Sequence, residues 1–111
     1  MNWRRELVDF ALDEDTERLI AEQKTWIAAE PGAARPYYQL AQLYRLQQRR
    51  DEARALLLHA VSLDDALAPA HTALSQMYAV AGDLAAARRH AGRAAELGEP
   101  EAAALLARYD A

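Results

Sequence analysis

Three histidines are the residues of this sequence best able to bind a metal ion or to exchange a proton near neutral pH. They are His59, His71 and His90. No two of them have the i, i+4 spacing that places two imidazoles on one helix face, and no glutamate-flanked zinc motif surrounds them. We therefore predict no metal site. His71 is expected to pack in or near the core, and His59 and His90 at the outer face of their helices.

Other catalytic patterns are also absent from the sequence. There is no cysteine, so neither a thiolate nucleophile nor a disulfide is available. Ser62 and Ser75 lack the glycine context of a nucleophile elbow, and the four glycines are too scattered to form a phosphate-binding loop. Solvation at a helix end explains the paired carboxylates, which are Asp64 with Asp65 and Glu99 with Glu101. We predict a non-enzymatic protein without a cofactor.

Charge and hydropathy restrict the class of partner. Arg45, Arg49, Arg50 and Arg54 form a basic cluster, but the net charge of the chain is -4, whereas nucleic-acid binders usually carry a basic stripe. No apolar run approaches the roughly 18 residues that a membrane span needs, and acidic residues interrupt the start of the chain. We expect no nucleic-acid or membrane partner and a cytoplasmic location.

The elements that position these side chains are predicted to be helices. Alanine, leucine, glutamate, glutamine and arginine dominate the sequence, and all are strong helix formers. At 111 residues the chain is long enough for one domain. The composition therefore predicts an all-α domain.

A sequence repeat organises the middle of the chain. The stretch from Tyr37 to Leu63 recurs 34 residues later, with large apolar residues early and small ones late. This period and pattern resemble the tetratricopeptide repeat. The matching pairs are Leu40 with Leu74, Tyr44 with Tyr78, Ala53 with Ala87, Ala60 with Ala94 and Leu63 with Leu97.

The resemblance implies antiparallel helix pairs stacked into a right-handed α-α superhelix. In that register the chain is a single domain, 1–111, with repeats at about 1–33, 34–67 and 68–99 and a capping helix at 100–109. Trp3, Phe10 and Pro31 would frame the first repeat. We expect its two helices to cover about 3–12 and 16–29, with a break at Asp13–Thr16.

Glycines and prolines mark the predicted helix ends. Pro31-Gly32 and Gly82-Asp83 stop helices, and Gln48 stands where the family usually has a glycine. Gly92 lies inside a predicted helix at a cost of about 1 kcal/mol relative to alanine. We interpret it as a point of close contact between helices.

The resemblance also implies a concave groove, lined by the first helix of each pair, that holds an extended peptide or a helix of another protein. Tyr38 is the expected aromatic anchor. The glutamines could pair with a peptide backbone, and the arginines favour an acidic segment. An ordinary solvent-facing role remains the alternative for each residue. The groove positions are Arg4, Val8, Arg35, Tyr38, Gln39, Gln42, Arg45, Thr72 and Gln76.

The predicted helical-repeat fold suits two functions. The first is a non-enzymatic protein-interaction module or adaptor that binds its partner in the groove. The alternative is a self-associating, homodimeric helical-repeat unit. Its interface would be the end of the chain that carries Trp3, or the apolar closing helix with Leu105, Leu106 and Tyr109.

Overall fold

The computed structural model describes the backbone of residues 3–110 and the side chains of residues 13–109. No strand occurs in that part of the chain, so the predicted all-α fold is confirmed. Six helices follow one another: α1 Trp3–Ala29, α2 Ala34–Leu46, α3 Arg50–Leu63, α4 Ala68–Val80, α5 Leu84–Glu96 and α6 Ala102–Asp110.

The helices stack in chain order. Each helix packs against the next one, and the contacts are most extensive within the pairs α2/α3 and α4/α5. The radius of gyration is 15.7 Å, against about 13 Å expected for a compact domain of this length. The overall extents are 44 × 41 × 23 Å. The molecule is thus an open stack of helices, as the repeat predicts.

The predicted break at Asp13–Thr16 is wrong, because α1 runs through it without interruption. A residue suited to capping a helix favours a helix start but does not stop a helix already formed, and this stretch holds neither glycine nor proline. Asp15 instead forms an ion pair of 2.7 Å with Arg18 on the next turn. Residues 3–29 therefore form one helix rather than a helix pair. The side chains of Trp3 and Phe10 lie outside the described residues.

Small residues allow the helices to approach closely in the core. Ala53, Ala60, Ala87 and Ala94 are fully buried, as the repeat pattern predicts. Large side chains fill the space between the pairs, each fully buried leucine contributing about 1.5–3 kcal/mol. The large apolar residues buried in the described part of the chain are Ile20 from α1, Leu40 and Tyr44 from α2, Leu57 from α3, Leu67 before α4, Leu74 from α4 and Leu105 from α6.

Two turns of the chain have the same geometry. The amide of Arg49 donates to the carbonyl of Tyr44, and that of Asp83 donates to Tyr78, each at 2.9 Å. The predicted equivalence of the two tyrosines is therefore confirmed at the turns that follow them. Gln48 adopts a φ of 62° where the second turn has a glycine at 88°.

Gly92 does not mark a close helix contact. A Cβ atom built at this position would meet nothing within 4 Å beyond the backbone of its own helix. The interpretation based on the sequence is therefore wrong. The space around Gly92 would accept an alanine.

Candidate functional site

Most of the predicted groove residues line one depression, which we call the central cleft. Its volume is about 350 Å³, and it lies between α2 and α4. Residues one repeat apart face each other across it, since Tyr38 and Gln42 occupy the same register positions as Thr72 and Gln76. The cleft is lined by Tyr38, Gln42 and Arg45 of α2, Pro69, Thr72, Ala73 and Gln76 of α4, and Glu99, Pro100 and Glu101.

Arg45 joins the two walls of the central cleft. Its guanidinium donates to Oε1 of Gln42 at 3.0 Å and to Oε1 of Gln76 at 3.4 Å. Neither amide NH₂ group has a hydrogen-bond partner among the described residues, so both can donate to a ligand. Since the guanidinium holds both glutamines, the polar groups of the cleft are partly ordered before a ligand binds.

Tyr38 is half-buried rather than fully exposed. Part of its side chain packs against the hydrophobic core, and the rest lines the central cleft. A tyrosine held in this way offers a large contact area at a low cost in side-chain entropy.

Glu99 and Glu101 bring negative charge to the central cleft, which the groove prediction did not include. Both lie in the turn before α6, and the sequence indicated only solvated carboxylates there. The start of α6 lies beside the start of α4. The central cleft therefore has an acidic end at the amino termini of the helices, while Arg45 lies near the carboxyl end of α2.

A second, smaller depression of about 210 Å³, the side cleft, separates α1 from α2. The predicted groove residue Gln39 lies here. Three glutamines line it, and Oε1 of one of them, Gln23, is buried without a hydrogen-bond partner among the described residues. The lining residues are Leu19, Gln23, Gln39, Gln42, Leu43 and Leu46.

A third depression of about 390 Å³, the arginine cup, opens at the carboxyl ends of α2 and α4. It shares Arg45 and Gln76 with the central cleft. Its apolar part includes Val80, whose side chain is 76% exposed. The cup is lined by Arg45, Gln48, Arg50, Asp51, Arg54, Gln76, Met77, Val80 and Ala81.

Of the three remaining groove residues, only Arg35 has a described side chain. Arg35 is exposed in the first turn of α2 and lines none of the three. The side chains of Arg4 and Val8 lie outside the described residues. A role in binding stays a prediction for all nine groove positions.

His71 is buried, as predicted, but His90 is not at an outer face. Nδ1 of His71 lies 3.1 Å from Nδ1 of His90, and the ring of His90 stacks on Tyr78 with 5.6 Å between centroids. Nε2 of His71 lies 2.9 Å from the carbonyl oxygen of Asp65. The Asp65 carboxylate pairs with Arg93 at 2.7 Å. This network ties the α3–α4 turn to α5.

The hydrogen bonds of the histidine pair determine its tautomers when both rings are neutral. Because the carbonyl of Asp65 can only accept, Nε2 of His71 must donate, which leaves its Nδ1 as an acceptor for Nδ1–H of His90. Burial, reinforced by the charges of His71 and Arg89, lowers the pKa of His90. Protonation of Nδ1 of His71 would place two N–H donors face to face. For His90 the lowered pKa means that folding disfavours the charged ring.

Two further features concern other kinds of site. No cluster of three or more metal-ligating side chains occurs in the described part of the chain. None of the described helices combines the length and the apolarity that crossing a bilayer requires.

The closing helix α6 covers much of its apolar face within the chain. Ala102 and Leu105 are buried, and the hydroxyl of Tyr109 donates to the carbonyl of Ser75 at 3.4 Å. Leu106 is partly covered. Homodimerisation through this helix stays a prediction, with less apolar surface to support it than the sequence indicated.

No protein-family model matches the sequence, and no curated protein does. Solved structures are similar in fold. The chain superposes on the Yersinia enterocolitica type III secretion translocator chaperone SycD with a TM-score of 0.71 at 16% identity, over 93% of this chain and 72% of that one. For MamA the TM-score is 0.66 at 16% identity, over 81% of this chain and 64% of that one, less than two thirds of its length. The chain has a tetratricopeptide-like helical-repeat fold.

Proposed function

We propose that this protein is a non-enzymatic interaction module that holds an extended peptide or a helix of another protein in the central cleft. The observation that carries the proposal is the convergence of Tyr38, Gln42, Arg45, Thr72 and Gln76 on one cleft. Their combination of one aromatic surface, two amides and a cation suits a polypeptide, which presents both side chains and unpaired backbone groups.

The neighbouring depressions extend the surface available to such a ligand. The central cleft shares Gln42 with the side cleft and shares Arg45 and Gln76 with the arginine cup. A segment lying across α2 and α4 could therefore contact apolar, amide and charged groups in turn. SycD is named as a chaperone of a secretion translocator, which gives one precedent for a protein ligand on this fold.

Affinity capture from native cell extract tests the proposal. Wild type is compared with Tyr38→Ala/Gln42→Ala, and Arg89→Ala serves as the control because Arg89 is exposed on α5 and lines none of the three depressions. We expect wild type and the control to retain the same proteins and the double variant to lose them. A peptide of a captured protein should bind the double variant at least about tenfold more weakly, a loss of about 1.4 kcal/mol.

Far-UV circular dichroism of all three proteins checks that each is folded, since Tyr38 packs partly against the core. Equal capture by the folded double variant and by wild type would show that the central cleft is not the binding surface.

A further inference from the structure

The charges around the arginine cup are not balanced within the chain. The cup holds three arginines and one aspartate. Among the described residues, the side chain of Arg45 donates hydrogen bonds only to the amides of Gln42 and Gln76, and that of Arg50 only to the amide of Gln48 at 2.9 Å. Among the described side chains, no carboxylate pairs with Arg45 or Arg50. Two guanidinium groups are thus held by neutral acceptors and remain available to an anion.

The third arginine has a weak internal partner. Arg54 approaches Asp51 at 3.3 Å, and the side chain of Asp51 is 93% exposed. An exposed ion pair of this kind contributes little to stability and is readily exchanged for another partner. The guanidinium of Arg54 also lies over the ring of Tyr78, 5.9 Å from its centroid, which helps to keep it at the cup.

The cup also offers an apolar surface beside its charges. Met77, Val80 and Ala81 form one side of it, and Val80 is largely exposed to solvent. A ligand that carries only negative charge would leave this surface in water. A segment in which an acidic side chain lies next to an apolar one would pair with the arginines and also cover Val80.

Negative charge at the far end of the central cleft determines where an acidic side chain of the partner can bind. Glu99 and Glu101 border the central cleft near the amino ends of α4 and α6, whereas the cup lies at the carboxyl ends of α2 and α4. An acidic side chain is repelled at the first place and attracted at the second. A bound segment should therefore place its acidic end at the arginine cup and its other end beside Glu99 and Glu101.

We infer that the arginine cup is a recognition subsite for an acidic side chain adjacent to an apolar one in the partner segment. The inference rests on the proposed function, because the cup shares two residues with the central cleft. It adds the chemistry of the partner and the position of its acidic residue. A nucleic acid fits the cup less well, since none of the lining residues is aromatic and the chain has a net charge of -4.

Selection from random dodecapeptides displayed on phage tests this inference. The peptides are fused through their carboxyl ends, so that only side chains supply carboxylates. The baits are wild type, Tyr38→Ala/Gln42→Ala, Arg50→Glu and the control Arg89→Glu. Arg50→Glu changes one exposed side chain at the start of α3, where a carboxylate suits the helix dipole. Arg89→Glu makes the same change of charge on α5, away from the cup.

Wild type and Arg89→Glu are expected to enrich peptides with an aspartate or glutamate beside an apolar residue, and Arg50→Glu to lose that enrichment. The synthetic form of a selected peptide should bind Arg50→Glu at least about tenfold more weakly than wild type or the control. Added salt should reduce this difference.

The alternative outcomes separate the inference from the proposed function. Peptides enriched by wild type without acidic residues, or an acidic peptide that binds Arg50→Glu as tightly as wild type, would overturn the inference alone. Tighter binding of a single-stranded RNA dodecamer than of any selected peptide would also overturn it. If no peptide is enriched over the Tyr38→Ala/Gln42→Ala bait, the proposed function itself fails and the inference with it.

Discussion

His90 lies half-buried against His71, and we expect it to link the stability of the fold to pH. With both rings neutral, the two Nδ1 atoms share one hydrogen at 3.1 Å, and the Asp65 carbonyl fixes the direction of the bond. Burial is the first reason that the pKa of His90 is lowered, and the charge of His71 is the second. Folding therefore favours the neutral form of His90.

We expect His90 to stabilise the fold less as the pH falls. The unfolded chain protonates His90 more readily than the folded chain does. The contribution of His90 to the free energy of unfolding is therefore complete above the unfolded pKa of about 6.5 and decreases below it. Urea unfolding at pH 8, 7, 6 and 5 measures this effect. The difference in the free energy of unfolding between wild type and His90→Gln should shrink through this range.

His59→Gln is the matched control, since His59 is exposed on α3 and lies outside the pair. Its difference from wild type should vary less with pH. Parallel curves for wild type and His90→Gln would show that His90 does not link protonation to stability.

The predicted groove residues that line the central cleft share one property. Tyr38, Gln42, Arg45, Thr72 and Gln76 are placed by helical register alone, so the repeat was enough to bring them to one cleft. The residues that were missed depend on how separate elements meet. His90 reaches His71 from another helix, and Glu99 and Glu101 enter the cleft because of the path of a turn. Neither spacing nor composition specifies such contacts.

The ends of α1 and α4 fall within two residues of the predicted stops at Pro31-Gly32 and Gly82-Asp83, because turn residues mark them. The error lies in α1, where the sequence offers a capping pattern without a residue that stops a helix. A capping side chain stabilises a helix start by about 1 kcal/mol. Continuing the helix forms backbone hydrogen bonds across the same residues, and the exposed acidic side chains do not oppose it.

The turn between α2 and α3 contains a strained element that the equivalent turn avoids. Gln48 has a φ of 62°, a left-handed conformation that costs a residue with a Cβ atom more than it costs glycine. Gly82 occupies the matching position between α4 and α5. We expect Gln48→Gly to raise the free energy of unfolding by about 0.5–1 kcal/mol.

The side chain of Gln48 accepts a hydrogen bond from Arg50, so Gln48→Ala is needed as a control for its loss. Thermal and urea unfolding of the three proteins separates the two effects. Gln48→Gly should be more stable than Gln48→Ala. If the two variants are equally stable, the left-handed conformation carries no measurable strain.

The whole molecule is a linear stack, in which a helix contacts its neighbours along the chain and little else. In such a stack the local stability depends on how many faces of an element are covered. Residues 70–75 of α4 are all buried, whereas α6 buries Ala102 and Leu105 and leaves most of its other residues accessible. Stability should therefore decrease from α4 toward the closing helix.

Hydrogen–deuterium exchange followed by mass spectrometry measures this gradient. We expect the amides of α4 to exchange most slowly and those of α6 much faster, because α6 can open without disturbing the helix pairs beneath it. Leu105→Ala sharpens the test, since it removes a buried side chain at the α5–α6 contact. Truncating a buried leucine in this way lowers the free energy of unfolding by about 2–5 kcal/mol. Exchange should then accelerate in α6 and α5 and stay unchanged in α2.

Equal acceleration in every helix would mean that the chain unfolds as one cooperative unit. A partner bound between α2 and α4 would then stabilise α6 as much as the helices it contacts.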